Sequence, residues 1–160
     1  YRISGDEHVS GGLTLEDTER IVPILVSEGL DFIHLSSGRY EALSYLCPEE
    51  EGVILPEAAS IKSVSAVPVI CPNIHSPALA ERVIEQGQAD MVSLCRPLIA
   101  DPEWPNKVRD GRQEEINRCI RCNTCIKSLW QLFGTRCTVN PSVGKERFIP
   151  DYFPPVGPIT

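Results

Sequence analysis

The residues with the clearest chemistry are four cysteines, three in Cys119-Ile120-Arg121-Cys122-Asn123-Thr124-Cys125 and a fourth at Cys137. Their spacing is C-x2-C-x2-C-x11-C. Thiolates at two-residue gaps let one loop wrap three corners of a cubane, and a distant fourth closes it. A run of this kind is typical of [4Fe–4S] ligation. Zinc is the main competitor. It favours two separated C-x2-C pairs at the corners of a tetrahedron, and a third cysteine so close to the second strains that arrangement. Buried or disulfide-linked thiols are the remaining alternative. The chain has seven cysteines, and Cys47, Cys71 and Cys95 stand alone in apolar surroundings. An odd count with one tight cluster does not match a secreted disulfide framework. It points to metal or cluster ligation in a reducing compartment, and hence to a cytoplasmic location.

Arg96, in Leu94-Cys95-Arg96-Pro97-Leu98, is the next candidate. It follows an apolar run and opens a short helix, where backbone N–H groups and a guanidinium make an anion site. The bland alternative is a surface arginine paired with Asp101. Arg2, beside Asp6 and Glu7, is either a strand-end residue facing a ligand or an exposed ion-pair partner. His34 lies in an apolar run and reads first as a core imidazole, with an active-site role open because it is near a strand end. His75 precedes a helix cap and reads as solvated. Tyr40 reads as a surface tyrosine on a long loop.

These residues need elements to position them. Thr14-Leu15-Glu16-Asp17 opens a helix with a capping box, Leu15, Ile21, Val22, Leu25 and Val26 form its stripe, Pro23 should kink it, and Gly29 ends it. A strand is expected over Asp31–Leu35, then a long loop, and a helix over about Pro56–Ser65. Val67–Cys71 is the next strand. Ser76-Pro77 caps and starts a helix that stops at Gly87. Ala89–Leu94 is the third strand, and short helices are expected over Arg96–Asp101 and Pro102–Asp110. Short apolar strands between helices imply a parallel sheet covered on both faces. The dinucleotide fingerprint is absent, so the units form either a small open α/β sheet or the later part of a barrel.

With 15 Lys+Arg against 22 Asp+Glu, the net charge is -7 over 160 residues. That balance argues against a nucleic-acid partner, which would need a basic stripe. No apolar run approaches the ~20 residues of a membrane span. Hydrophobic residues at 42% suffice for a core. Tyr1-Arg2-Ile3 reads like the interior of a longer chain, and Pro150-Asp151-Tyr152-Phe153-Pro154-Pro155 reads like an extended linker.

Together these motifs resemble the old yellow enzyme family in its iron–sulfur branch, which includes 2,4-dienoyl-CoA reductase, 2-enoate reductase and trimethylamine dehydrogenase. The matching stretches are Arg2-Ile3-Ser4-Gly5-Asp6-Glu7, Gly11-Gly12-Leu13-Thr14, Val67-Pro68-Val69-Ile70, Ala89-Asp90-Met91-Val92, Arg96-Pro97-Leu98-Ile99-Ala100-Asp101-Pro102, and the cysteine motif running into Cys137-Thr138-Val139-Asn140-Pro141. The resemblance implies the C-terminal part of a (β/α)8 TIM barrel with parallel strands. Residues 1–110 would be half of an FMN-binding barrel, 111–148 a small [4Fe–4S] segment, and 149–160 a linker.

The resemblance also implies residue roles. Arg2 matches the arginine at the flavin pyrimidine edge, and Arg96 the arginine on the FMN phosphate. Cys119, Cys122, Cys125 and Cys137 match the cluster ligands. Cys95 stands where the family commonly has Gly before the phosphate arginine. Pro72 has no N–H to offer phosphate, so Asn73 is expected to supply a donor there. The activity implied is hydride transfer between NAD(P)H, flavin and an activated alkene such as an enoate or enoyl-CoA, with FAD and NAD(P)H on a further C-terminal domain. A homo-oligomer is compatible with this reading. The family's usual proton donor lies outside this chain, its own catalytic residues stay unknown, and the isolated 160 residues are expected to be inactive.

Overall fold

The computed structural model describes residues 1–148, and the linker expected over 149–160 lies outside the described residues. The chain divides into two compact units, residues 1–95 and the residues from 96 onward.

The first unit alternates strands and helices. β1 (Arg2–Ser4), β2 (Ile33–Ser36), β3 (Val69–Cys71) and β4 (Met91–Val92) form one sheet in the order β1-β2-β3-β4. All three pairings are parallel, with Arg2 opposite His34, Ile33 opposite Val69 and Ile70 opposite Met91. Between the strands run α1 (Leu15–Ser27), α2 (Leu43–Leu46), α3 (Leu55–Val64) and α4 (Pro77–Glu85). The expected caps are present. Thr14 and Asp17 form a reciprocal capping box, and the Ser76 side chain accepts from Leu79 N–H ahead of Pro77. Gly29 and Gly87 take left-handed φ values of 95° and 65° just past two helix ends, where a Cβ would be strained. α1 runs as a single element through Pro23, which lies on its solvent side, where water can replace the missing N–H.

The sheet departs from expectation in its cover. Ile3, Ile33, Leu35, Val69 and Cys71 are buried against Val22 of α1, Ala58 and Ile61 of α3, and Leu79 and Val83 of α4. The alternate residues Arg2, Ser4, His34, Ser36 and Ile70 point the other way and are half-buried or exposed. Helices therefore cover one face, not both. The other face carries mostly polar side chains, including the Ser4 and Ser36 hydroxyls 3.5 Å apart. Such alternation suits a barrel segment, whose helices lie only outside.

Cys71 belongs to the helix-covered core. Burial, and then the negative charge of Glu57, push its thiol up to about 12. An unfolded cysteine ionises near ~8.5. The native state thus keeps a proton that the unfolded chain gives up, and stability falls as pH rises from that value toward 12. In pulse alkylation with iodoacetamide at pH 8.5, exposed Cys95 should label within seconds and Cys71 only as fast as the protein unfolds. Equal labelling would refute the protected thiol.

The second unit begins with α5 (Arg96–Ala100) and α6 (Trp104–Arg109), close to their expected bounds. A 3-10 turn at Gln113–Glu115 and α7 (Thr124–Trp130) follow. The sequence patterns anticipate neither these nor α2.

Candidate functional site

In the second unit, Cys119, Cys122, Cys125 and Cys137 line one pocket together with Arg96 and Thr138. Its empty volume, open solvent included, is about 290 Å³. The loop bends tightly because Arg121 and Asn123 adopt left-handed φ values of 56° and 55°. Asparagine tolerates this region better than most residues. Asn123 is also the residue before α7, so Cys125 enters the pocket from that helix's first turn. Ser128 of α7 donates to Cys125 O at 3.0 Å and accepts from Arg136 N at 3.2 Å, which fixes the approach to Cys137.

Both ends of the cysteine segment are anchored on α5 and the turn after it. Asn117 donates through Nδ2 to Ala100 O and to Val139 O. Asn140 donates to Ile99 O at 2.8 Å. Asp101 is 1% exposed and accepts from Lys107 Nζ at 2.7 Å and from Asn117 N at 2.8 Å. The sequence offers Asp101 as a partner for Arg96, but its salt bridge is with Lys107. Arg96 donates through Nη1 to Asn123 Oδ1 at 2.7 Å.

The sulfurs sit in mixed surroundings. Cys119 and Cys125 are raised above the ordinary thiol value by burial, which N–H donors and the Arg96 charge partly offset. Cys122 is lowered, because the Thr124 and Thr138 hydroxyls lie 3.2 Å from its sulfur and Thr124 N–H also donates to it. Among the described residues, no three cysteines gather tightly enough for a single metal ion. Four cysteine thiolates lining one pocket are the donor set that a [4Fe–4S] cluster takes.

The first unit holds the other predicted residues. Arg2 is exposed on the helix-free face, and Asp6 and Glu7 are engaged elsewhere. Asp6 accepts from His8 N and Leu15 N, while Glu7 accepts from Leu13 N and lies 3.9 Å from Arg39. His34, opposite Arg2, is half-buried on the same face with Nε2 3.0 Å from Ser93 Oγ, so it is not a core imidazole. Burial and then the Arg2 cation push it below its ordinary value. Asn73, at φ 61°, uses its side chain within the unit: Oδ1 accepts from Val53 N and Nδ2 donates to Glu50 O. Cys95 is exposed. His75 is half-buried, with Nδ1 enclosed, rather than solvated. Tyr40 is 76% exposed, as expected of a surface tyrosine.

One network is invisible in the sequence. Glu57 of α3 is 7% exposed and accepts from Ser37 Oγ at 2.8 Å, with His8 Nε2 2.9 Å from the same oxygen. His8 stacks on Tyr45 at 3.5 Å. A Cβ on Gly5 would lie 2.5 Å from the Glu57 carboxylate, so Gly5 leaves the space it occupies. These residues follow the C-terminal ends of β1 and β2, the end at which barrel enzymes place functional loops.

A parallel strand–helix succession with helices on one face, followed by a pocket lined by four cysteines, is the arrangement of a barrel segment with a cysteine-rich extension. Residues 1–115 match the NADH:flavin oxidoreductase / NADH oxidase family, and the chain belongs to that family. It is 44% identical over 152 residues to an NADH oxidase of Thermoanaerobacter brockii, covering 91% of this chain and 23% of that protein. It is 32% identical over 152 residues to a cinnamate reductase of Clostridium sporogenes, covering 86% of this chain and 23% of the relative. Among solved structures, a 2-naphthoyl-CoA reductase in complex with 2-naphthoyl-CoA superposes with a TM-score of 0.83 at 28% identity, over 91% of this chain and 23% of that one. The chain thus spans less than a quarter of the length of these relatives. Its fold is the C-terminal portion of their barrel. Among the described residues, no helix is long and apolar enough to cross a membrane.

Proposed function

We propose that this chain is part of an FMN- and [4Fe–4S]-dependent oxidoreductase acting on an activated alkene, an enoate or an enoyl-CoA. The observation that carries the reading is the single pocket lined by four cysteines at C-x2-C-x2-C-x11-C spacing, directly after a flavin-oxidoreductase barrel segment. When bound, flavin supplies hydride chemistry and the cluster relays single electrons. Cys119, Cys122, Cys125 and Cys137 are the cluster ligands. Arg2, exposed beside His34, is the cation for the flavin pyrimidine edge, where positive charge favours the anionic reduced ring. Arg96 matches the family's phosphate arginine, with Asn73 and Cys95 in the loops that flank the phosphate. The committed side chain of Asn73 leaves its backbone as the donor in this reading. The relatives that reduce cinnamate and bind 2-naphthoyl-CoA support an unsaturated acid or thioester as substrate. NAD(P)H and FAD would act through a further domain, in a cytoplasmic protein. The isolated 160 residues would be inactive, because the proton donor and early flavin contacts lie outside them.

The test is composition and turnover of the full-length protein purified without oxygen. About four iron and four acid-labile sulfide per chain are expected, together with FMN and NAD(P)H-dependent loss of enoate absorbance. Stoichiometric zinc without sulfide would overturn the cluster. Failure to retain or take up FMN would overturn the flavin reading.

A further inference from the structure

We propose that Arg96 is a positioning residue for the cysteine pocket, and that its cation sets the reduction potential of the cluster held there. The inference rests on the cluster reading above and extends it. Arg96 is 8% exposed and lines the same pocket as the four cysteines. Its Nη1 donates at 2.7 Å to Asn123 Oδ1. Asn123 lies between Cys122 and Cys125 in a left-handed conformation. The guanidinium therefore grips the loop at the residue that turns it from one ligand to the next.

Asn123 is a neutral acceptor, so this bond brings no negative charge to the guanidinium. Arginine stays protonated in any accessible pH range. A cluster on four thiolates is net negative, and reduction adds one electron with no bond broken and no proton required. A fixed cation in the pocket wall stabilises the more negative state, and net charge and hydrogen bonds to sulfur are among the main determinants of such potentials. The Thr138 hydroxyl, which donates to Thr124 at 3.1 Å, and the Thr124 hydroxyl beside Cys122 act in the same direction. The guanidinium has five N–H donors, so a bond to Asn123 is compatible with a phosphate contact as well.

The experiment is a redox titration of the full-length holoprotein followed by electron paramagnetic resonance, with iron, sulfide and FMN measured on each sample. Arg96→Gln should keep its iron and sulfide and show a lower cluster potential. Arg96→Lys should stay closer to the parent, because the charge remains. Asn123→Gly keeps a residue suited to left-handed φ but removes the acceptor, and should shift the potential downward by less than Arg96→Gln. If Arg96→Gln does not fold, the Asn123→Gly titration decides. An unchanged potential in a variant with full cluster content overturns the proposal. Loss of FMN with an unchanged cluster potential also overturns it, and assigns Arg96 to phosphate alone. Absence of iron and sulfide from the parent protein defeats the cluster reading itself, a result distinct from either.

Discussion

Replacing Lys107 by methionine will destabilise the second unit by about 3–5 kcal/mol, the cost typical of breaking a buried ion pair from one side. Asp101 is almost fully enclosed, and Lys107 Nζ is its charged partner at 2.7 Å. Lys107 also donates to Glu115 O at 3.0 Å, so its loss orphans a carbonyl as well. Methionine fills much of the same volume but leaves the carboxylate buried beside an apolar chain. The damage should spread to the cysteine loop, because Asn117 hangs from Asp101 through its backbone N–H and from Val139 through its side chain. Urea unfolding of parent and variant measures the loss, and iron content after dialysis shows whether the loop has loosened. A change under ~1 kcal/mol would mean that the pair is exposed in solution, since exposed pairs contribute no more than that.

Cys125→Ser should remove most of the bound iron and the broad visible absorption from the anaerobically purified full-length protein. A serine hydroxyl is a hard, weakly acidic ligand and a poor substitute for thiolate on iron. Cys125 lies in the first turn of α7 and is tied through its carbonyl to Ser128, so the loop cannot easily bring another sulfur to the vacated corner. Cys47→Ser is the control, since Cys47 belongs to the first unit and should leave iron unchanged. Equal iron in the two variants would show that the metal is bound elsewhere.

Local chemistry was legible in the sequence where one short stretch carries it. The Thr14 and Ser76 caps, the glycines after α1 and α4, and the cysteine spacing all act within a few residues. The strands came out two to four residues long because pairing, not apolar content, fixes their ends. Cover on both faces was the wrong inference from the apolar runs. His34, Ser4 and Ser36 interrupt them on one side, and only the paired register shows that these residues share a face. Glu57 with His8, and Asn140 with Ile99, are 49 and 41 residues apart and leave no trace in local periodicity. Arg96 was legible as a candidate from its place at a helix start. Its grip on Asn123 was not, because that contact joins residues 27 positions apart and needs the segment between them folded back.

The strand order β1-β2-β3-β4 also has a kinetic consequence. Each strand pairs with the one made immediately before it, and no pairing spans a later insertion. During synthesis each new strand–helix unit can dock as soon as its own residues are available, with loop closures limited to the residues of one crossover. Folding of this sheet should therefore keep pace with chain growth, and a pause in translation after β3 would leave a paired intermediate instead of an unpaired coil.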